Sequence, residues 1–339
     1  MLPFIQHQLQ KIQKPTRLQV LHQAIKPLLF AQGYRWEEKR SGELRIGYWK
    51  KVFRKKEVRK AYPKRFVLIP GLGDSSVSWL SVLTLSQPVL RQQFDELILF
   101  DFPGFGGFLA RERAFPSLEL MMKGVGDILD YLKPDTLFGH SLGGWLAGHY
   151  AVECGLQKRP ESNRLNYSGP SRLLLAAPSG VYPDSETMGQ LKEVFHKALE
   201  EGFPHIRPYL FAQEPFWFKY VAEQFHHFFD REDIAQFIYS ARPEHSLHEQ
   251  VQHIQAPVWL IWGEHDALIP ARCAESWMRN FNESVREKSH TVLLKGLGHS
   301  PQLENSTVFA AVLAQVLMGK VPHDIGKRWW RTQSGQSSF

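Results

Sequence analysis

The residue pattern with the clearest chemical meaning is Gly139-His140-Ser141-Leu142-Gly143-Gly144. It follows a short apolar run at 136–138, typical of a buried strand, and precedes a longer run at 145–154, typical of a helix. A serine on a sharp turn from a strand to a helix is held in a strained conformation that lifts its hydroxyl clear of the sheet. The N-terminus of the following helix favours negative charge that develops there. Ser141 is therefore predicted to be a nucleophile.

A serine hydroxyl needs a base to remove its proton, and that base is commonly a histidine oriented by a carboxylate. When a nucleophilic serine lies on such a turn from a strand to a helix, the acid and then the histidine follow it along the chain. Asp266 comes directly after the apolar strand at 258–262, and His299 lies in a glycine-flanked turn after a later strand. We expect His299 to be the base and Asp266 to orient it, with Glu264 and Asp101 as alternative acids.

Acyl transfer also requires hydrogen-bond donors for the oxyanion of the tetrahedral intermediate. One donor is expected from the backbone N–H that follows the nucleophile, which belongs to Leu142. The second is expected from the loop after an earlier strand, Pro70-Gly71-Leu72-Gly73. Glycines on both sides of Leu72 let its N–H turn into the site, so Leu72 and Leu142 are the predicted oxyanion hole.

The other chemically active residues do not form a recognisable metal or cofactor motif. The chain has 15 histidines and two cysteines. The histidine-rich stretch lacks acidic or thiol partners at ligand spacing, and the loop at 71–76 ends in serine where a dinucleotide-binding motif has its third glycine. We therefore expect no metal and no cofactor. The five histidines of that stretch are His226, His227, His245, His248 and His253.

Several short runs are mostly apolar, without alternation of apolar and polar positions, and they indicate the strands that must position these residues. Strands of this type, separated by helical stretches, are typical of a parallel sheet that is covered on both faces. The predicted fold is thus an α/β class, doubly wound, mostly parallel sheet. The runs lie at 44–49, 51–58, 66–69, 96–100, 136–138, 172–177, 258–262 and 289–294.

The spacing of the predicted strands divides the chain into four parts. Residues 1–43 form a basic amphipathic segment with two short helices split at Pro15, and residues 44–180 and 256–320 form the α/β core. Residues 181–255 contain helical patterns and many aromatic residues, which predicts a helical cap inserted between two strands. Residues 321–339 form a C-terminal tail.

Composition indicates a globular protein, since 43% of its 339 residues are hydrophobic and 22% are charged. The basic charge is concentrated in residues 1–65, where 17 lysines and arginines face four acidic residues, a local net charge of +13 against +7 for the whole chain. This region could contact an anionic membrane or form a solvated face, and its helices could equally dock on the core. We expect no nucleic-acid partner.

The start of the chain lacks a charged segment followed by an apolar run, and two cysteines are too few for a disulfide framework. The sequence thus predicts a cytoplasmic protein without a signal peptide or transmembrane helix, with possible peripheral membrane contact.

Taken in order, these motifs resemble the α/β-hydrolase family of serine hydrolases over residues 44–318. Three short motifs are similar to the monoacylglycerol-lipase-like and carboxylesterase branches of that family: Ala177-Pro178-Ser179-Gly180, Trp262-Gly263 and Gly298-His299-Ser300. The chain departs from the family pattern at Pro70, where many members have histidine before the oxyanion glycine.

The resemblance implies a cofactor-independent hydrolase of carboxylic esters with a hydrophobic acyl group. The same residues would also serve a C–C bond hydrolase or an acyltransferase, since only the shape of the pocket distinguishes these reactions. A third alternative is a catalytically idle hydrolase fold that acts as a binding module.

Overall fold

The computed structural model describes residues 17–53, 62–102, 116–159, 167–322 (without 221, 223, 224, 226 and 227) and 330–334. The strands are β1 (Tyr34–Ser41), β2 (Leu44–Val52), β3 (Arg65–Ile69), β4 (Glu96–Asp101), β5 (Thr136–His140), β6 (Arg172–Ala176), β7 (Val258–Gly263), β8 (His290–Leu294) and β9 (Trp330–Ser334). The helices are α1 (Arg17–Ala31), α2 (Leu80–Leu85), α3 (Gln87–Gln93), α4 (Leu118–Leu132), α5 (Leu142–Gly155), α6 (Ser185–Glu201), α7 (Phe203–Leu210), α8 (Glu232–Tyr239), α9 (Cys273–Asn280), α10 (Glu283–Arg286), α11 (Pro301–Glu304) and α12 (Ser306–Leu317).

All nine described strands join one sheet in the order β1-β2-β4-β3-β5-β6-β7-β8-β9. The pairs from β4 through β3, β5, β6 and β7 to β8 are parallel, while β1, β2 and β9 pair antiparallel at the two sides. This arrangement confirms the predicted mostly parallel α/β sheet. Ser141 follows β5, and the loops with Asp266 and His299 follow β7 and β8. These three strands therefore end at the same edge of the sheet.

The central strands are apolar throughout because both faces of the sheet are covered. In β3, Val67 and Ile69 belong to one buried cluster, together with residues of α4, α5 and α9. Phe66 and Leu68 belong to the cluster on the opposite face, which contains residues of α2, α3 and α12. Burial on both sides removes the need for polar residues at alternate positions.

The sheet extends further toward both ends of the chain than the sequence predicts. Strand β1 lies within the predicted N-terminal segment 1–43 and pairs with β2 as a hairpin, and β2 is one continuous strand to Val52 where the sequence suggested a break after residue 49. Strand β9 lies in the predicted tail and pairs with β8. Both β1 and β9 are edge strands rich in polar residues, so they lack the apolar runs that identify buried strands.

Between β6 and β7 the chain forms the helices α6, α7 and α8, in the range where the sequence predicts an inserted cap. We call residues 181–255 the cap. Helix α6 begins at an N-cap, Asp184, whose carboxylate accepts a hydrogen bond of 2.7 Å from the N–H of Thr187. Buried aromatic residues of the cap, such as Phe203 and Phe218, belong to the same apolar cluster as residues of α4, α5 and α9.

Helix α1 packs on the core through one narrow stripe. Leu29 is buried, Ile25 packs against the same cluster, and the Phe30 ring meets the Trp49 ring edge-on at 5.4 Å. The predicted helix before Pro15 lies outside the described residues. Of the helices that the structure describes, none is long and apolar enough to cross a membrane.

Two adjacent leucines of α1 give a matched test of this docking. Leu29 is 2% exposed and Leu28 is 61% exposed. We expect Leu29→Ala to lower the free energy of unfolding by about 2–5 kcal/mol, because it leaves a cavity under the helix. Leu28→Ala should change it by no more than about 0.5 kcal/mol. Urea denaturation of both variants measures this, and equal effects would mean that α1 is not docked.

Candidate active site

The turn that carries Ser141, which we call the elbow, lies between β5 and α5. Ser141 has a φ of 53° and a ψ of −116°, which is a strained conformation for a residue with a side chain. Gly143 makes this turn possible, since a Cβ at that position would stand 2.2 Å from the carbonyl oxygen of Ile69. The hydroxyl of Ser141 thus stands at the edge of the sheet, at the N-terminus of α5, as the sequence predicts.

The predicted base and acid lie beside this serine. His299 Nε2 is 3.1 Å from Ser141 Oγ, and His299 Nδ1 is 2.8 Å from Asp266 Oδ2. The side chains of His299 and Asp266 are 4% and 0% exposed. The serine can therefore donate its proton to Nε2 while Nδ1–H donates to the carboxylate, which is the geometry that activates a serine hydroxyl.

Backbone groups of its own loop hold the Asp266 carboxylate in place. Its Oδ1 accepts hydrogen bonds from the N–H groups of Leu268 and Ile269, at 3.0 and 2.8 Å. The alternative acids lie elsewhere: Glu264 accepts from the N–H of Gly296, and Asp101 accepts from the N–H of Ser76. Among the three candidates, Asp266 is the one that contacts the histidine.

The two predicted oxyanion donors border the same cavity as Ser141. Leu72 and Leu142 both line it. Leu142 is the first residue of α5, so its N–H has no partner within the helix. The loop backbone comes close to the elbow at Gly71, where a Cβ would lie 3.3 Å from the Cβ of Ser141.

The sequence did not identify Glu304, which fixes the histidine loop to the cap. Its carboxylate accepts hydrogen bonds from the N–H groups of Gly298, Ala212 and Gln213, at 2.9, 3.1 and 3.2 Å. Burial raises the pKa of this carboxyl, and the three hydrogen bonds oppose that rise. The cap partners lie about 90 residues away in the chain, so no local pattern could have revealed the contact.

A second histidine, His140, touches each part of the site. Its Nε2–H donates to the backbone carbonyl of His299 at 2.9 Å, and its ring lies against Gly71. Among the described residues its Nδ1 has no hydrogen-bond partner, and it lies 3.9 Å from Asp74 Oδ2. Burial lowers the pKa of His140 to about 3, so the ring is neutral. The sequence analysis assigned no role to His140 beyond its place in the motif.

Asp74 is a titratable group beside the elbow. Burial raises the pKa of its carboxyl to about 6, although it accepts hydrogen bonds from the N–H of Ser75 at 2.7 Å and from Trp79 Nε1 at 3.0 Å. Its side chain is 15% exposed, and it lines the cavity at Ser141. The sequence did not predict a titrating carboxyl here, because only the folded chain removes this residue from water.

Among the described residues, seven phenylalanines of the cap line the cavity at Ser141. Phe203, Phe211 and Phe225 are among them, and Ser141 and His299 lie on its floor. A search of the described residues finds no group of three or more histidine, cysteine, aspartate or glutamate side chains that could hold a metal. The described surroundings of the serine are therefore suited to an apolar organic substrate.

Comparison with known proteins identifies the family to which this chain belongs. The profile of the alpha/beta hydrolase family matches residues 66–312. The chain belongs to the alpha/beta hydrolase family. The resemblance inferred from the sequence motifs is thus confirmed. The matched range begins after α1, β1 and β2, so these elements lie outside the part that defines the family.

Known relatives of this alpha/beta hydrolase include two mammalian lipases. It is 24% identical over 281 residues to monoacylglycerol lipase ABHD6 of Homo sapiens, covering 76% of this chain and 77% of that protein. It is 23% identical over 292 residues to the Bos taurus protein of the same name, covering 80% of each.

Solved structures show the same fold. A membrane phospholipase A, a bacterial virulence factor, superposes with a TM-score of 0.64 at 20% identity, over 89% of this chain and 91% of that one. Carboxylesterase CesB of Bacillus subtilis gives 0.59 at 15% identity, over 90% and 100%. The fold of this chain is thus shared by a phospholipase A and a carboxylesterase.

The raised pKa of Asp74 predicts a dependence of stability on pH. Because burial raises this pKa from its ordinary value of 3.8 to about 6, the folded protein binds the proton more tightly than the unfolded chain does. The contribution of Asp74 to stability should therefore fall as the pH rises from about 4 to about 6. We expect the unfolding free energy of wild type, relative to Asp74→Asn, to fall by up to about 3 kcal/mol between pH 4 and pH 7.

Urea denaturation at several pH values measures this difference. Asp184→Asn is a suitable control, since hydrogen bonds from Thr187 lower the pKa of Asp184, so that its contribution should not fall over the same range. A difference between wild type and Asp74→Asn that is independent of pH would contradict the prediction.

Proposed function

We propose that this alpha/beta hydrolase is a serine hydrolase that cleaves carboxylic esters with a hydrophobic acyl group through an acyl-enzyme intermediate. The observation that carries the proposal is the chain of contacts from Ser141 Oγ to His299 Nε2 and from His299 Nδ1 to Asp266 Oδ2, at 3.1 and 2.8 Å. Ser141 and His299 line an apolar cavity, and the strained elbow gives the serine hydroxyl access to a carbonyl bound there.

In the first half of the reaction, Ser141 Oγ attacks the ester carbonyl carbon while His299 Nε2 takes the hydroxyl proton. The carbonyl oxygen becomes an oxyanion, to which the N–H groups of Leu72 and Leu142 donate. The Asp266 carboxylate stabilises the imidazolium that forms. When the intermediate collapses, the carbon–oxygen bond to the alcohol breaks and the imidazolium gives its proton to the leaving oxygen.

In the second half, a water molecule replaces the alcohol. His299 removes one proton from this water, its oxygen attacks the acyl-enzyme carbonyl, and the carbon–oxygen bond to Ser141 breaks. The proton returns from His299 to Ser141 Oγ and the carboxylic acid leaves. The cycle consumes one ester and one water molecule and restores the enzyme.

The apolar lining supports a hydrophobic acyl group. A second cavity at Ser141, of about 380 Å³, is lined largely by apolar side chains that include Leu118, Met188 and Ile238. Relatives that are named as a monoacylglycerol lipase, together with solved structures of a phospholipase A and a carboxylesterase, agree with an ester or lipid substrate.

Substitution of the nucleophile tests the proposal. We expect Ser141→Ala to lower kcat/KM for a p-nitrophenyl ester series, from acetate to palmitate, by about 10⁴-fold or more, because no other group takes over the attack. Ser179→Ala is the matched control, since Ser179 lines the same cavity but does not contact His299 in the described structure. Its turnover should stay near that of wild type.

A Ser141→Ala protein with wild-type esterase turnover would refute the mechanism. If a fluorophosphonate labels Ser141 but no ester is cleaved, the C–C hydrolase or acyltransferase alternative takes precedence. If the folded protein is not labelled, the binding-module alternative does.

We also propose that the basic N-terminal region contacts anionic membranes peripherally. Residues 1–65 carry a net charge of +13, with the highest density between residues 50 and 65. Leu28 and Phe30 of α1 are exposed apolar side chains in the same region of the chain. Basic residues near a surface of negative lipids each contribute about 1 kcal/mol to binding.

Charge neutralisation tests this proposal without removing β1 from the sheet. Substitution of Lys55, Lys56, Arg59 and Lys60 by glutamine should weaken binding to phosphatidylserine vesicles by about fivefold for each charge that lies near the surface. Turnover of a short soluble ester should be unaffected. Vesicle co-sedimentation at two salt concentrations measures this, and binding that ignores both salt and charge would exclude the electrostatic contact.

A further inference from the structure

Within the part of the chain that the structure describes, three adjoining cavities surround Ser141 or lie next to it. The phenylalanine cavity, of about 90 Å³, is lined by Phe203, Phe211, Phe225, Ser141 and His299, among others. The cap cavity, of about 380 Å³, lies under α6 and α8. The α1 groove, of about 480 Å³, lies between α1, the cap and the segment from Gly73 to Thr84.

The position of His299 distinguishes the two cavities that reach Ser141. Ser141 and Leu72 line both of them, whereas among the described residues His299 lines the phenylalanine cavity and not the cap cavity. The imidazolium must deliver its proton to the leaving oxygen, so that oxygen has to lie within hydrogen-bond reach of His299 Nε2. The alcohol part of an ester therefore extends into the phenylalanine cavity, and the acyl part extends into the cap cavity.

The α1 groove adjoins the phenylalanine cavity and extends the space for the alcohol part of an ester. It shares six lining residues with the phenylalanine cavity: Gly73, Asp74, Phe218, Phe225, Gln302 and Leu303. Ile25, Leu28 and Leu29 of α1 form an apolar wall. The facing wall carries hydroxyl groups at Ser78, Ser81 and Thr84. The groove thus offers an apolar wall to a bound chain.

We infer that the substrate is an ester with a hydrophobic chain on each side of the scissile bond, whose alcohol chain lies in the phenylalanine cavity and the α1 groove. This inference rests on the proposed serine hydrolase activity and names its substrate class. It assigns a function to α1, which lies outside the family-matched residues 66–312.

The sizes of the cavities and the exposure of their rims agree with this assignment. The cap cavity and the α1 groove, at about 380 and 480 Å³, are each within the roughly 300–1,000 Å³ that is usual for ligand pockets. Leu28 and Trp217, at the groove, are 61% and 37% exposed. A bound alcohol chain would cover apolar surface that otherwise faces water.

Two isomeric esters test the inference, because they differ only in which side of the ester carries the long chain. Dodecyl butanoate has the long chain on the alcohol, and butyl dodecanoate has it on the acid. Both are compared with butyl butanoate in the same detergent micelles. Since each fully buried methylene contributes about 0.8 kcal/mol, or about fourfold, we expect kcat/KM for both long isomers to exceed that for butyl butanoate by at least about tenfold.

Variants at the two chain sites should then change the ratio of kcat/KM for dodecyl butanoate to that for butyl dodecanoate in opposite directions. Leu28→Arg places a charge in the α1 groove and should lower the ratio by about tenfold. Met188→Arg places a charge in the cap cavity and should raise it by a similar factor. Met318→Arg is the matched control, because Met318 is an exposed residue that follows α12, and it should leave both the ratio and the activity unchanged.

The result that overturns the inference is a wild-type enzyme that gains nothing from the long alcohol chain, or a ratio that Leu28→Arg and Met188→Arg change in the same direction. Thermal melting of each variant separates such a result from loss of folding. The assay is also independent of the test of the proposed function. If Ser141→Ala abolishes hydrolysis but the ratio does not respond to Leu28→Arg, the serine mechanism stands and the two-chain substrate does not.

Discussion

The strained turn at Ser141 is the constraint on which the rest of the site depends. A φ of 53° puts the serine hydroxyl above the sheet edge, and this conformation persists only because its surroundings hold it. Gly143 lets the start of α5 pack directly against the Ile69 carbonyl, where a Cβ would come within 2.2 Å. The Ser141 N–H also donates to the Ala176 carbonyl on β6 at 2.9 Å. The strands on both sides of β5 therefore fix the turn.

The same packing brings together the loops that the chemistry requires. Because β5, β7 and β8 are parallel, their carboxyl ends lie at one edge, and the loops with Asp266 and His299 start there. His140, which precedes Ser141, connects two of these loops: its neutral ring donates to the His299 carbonyl and packs on Gly71. A displacement of one loop would therefore move the others. Such coupling suits a site that must hold its hydrogen-bond donors within a fraction of an ångström.

The cap borders the cavities at Ser141, and α1 borders the groove next to them. The family-defining residues 66–312 include Ser141, Asp266, His299 and the cap but exclude α1. Helix α1 docks through the buried Leu29, and it leaves Leu28 beside a groove that adjoins the cavity at Ser141. In the substrate class that we infer, selection would be divided between the family core and a helix outside the family-defining range. The glutamate that joins core and cap, Glu304, keeps the histidine loop aligned with the cap.

The sequence alone determined the elements whose signals are local. The elbow at Ser141, the central strands, and the loops with Asp266 and His299 could be predicted, because buried parallel strands are apolar throughout and the residues after them fall at one edge. Only the tertiary structure showed that β1 and β9 complete the sheet, since polar edge strands carry no such signal. It alone decided which cavities meet at the serine and how burial changes the pKa of Asp74, because both depend on contacts between residues far apart in the chain.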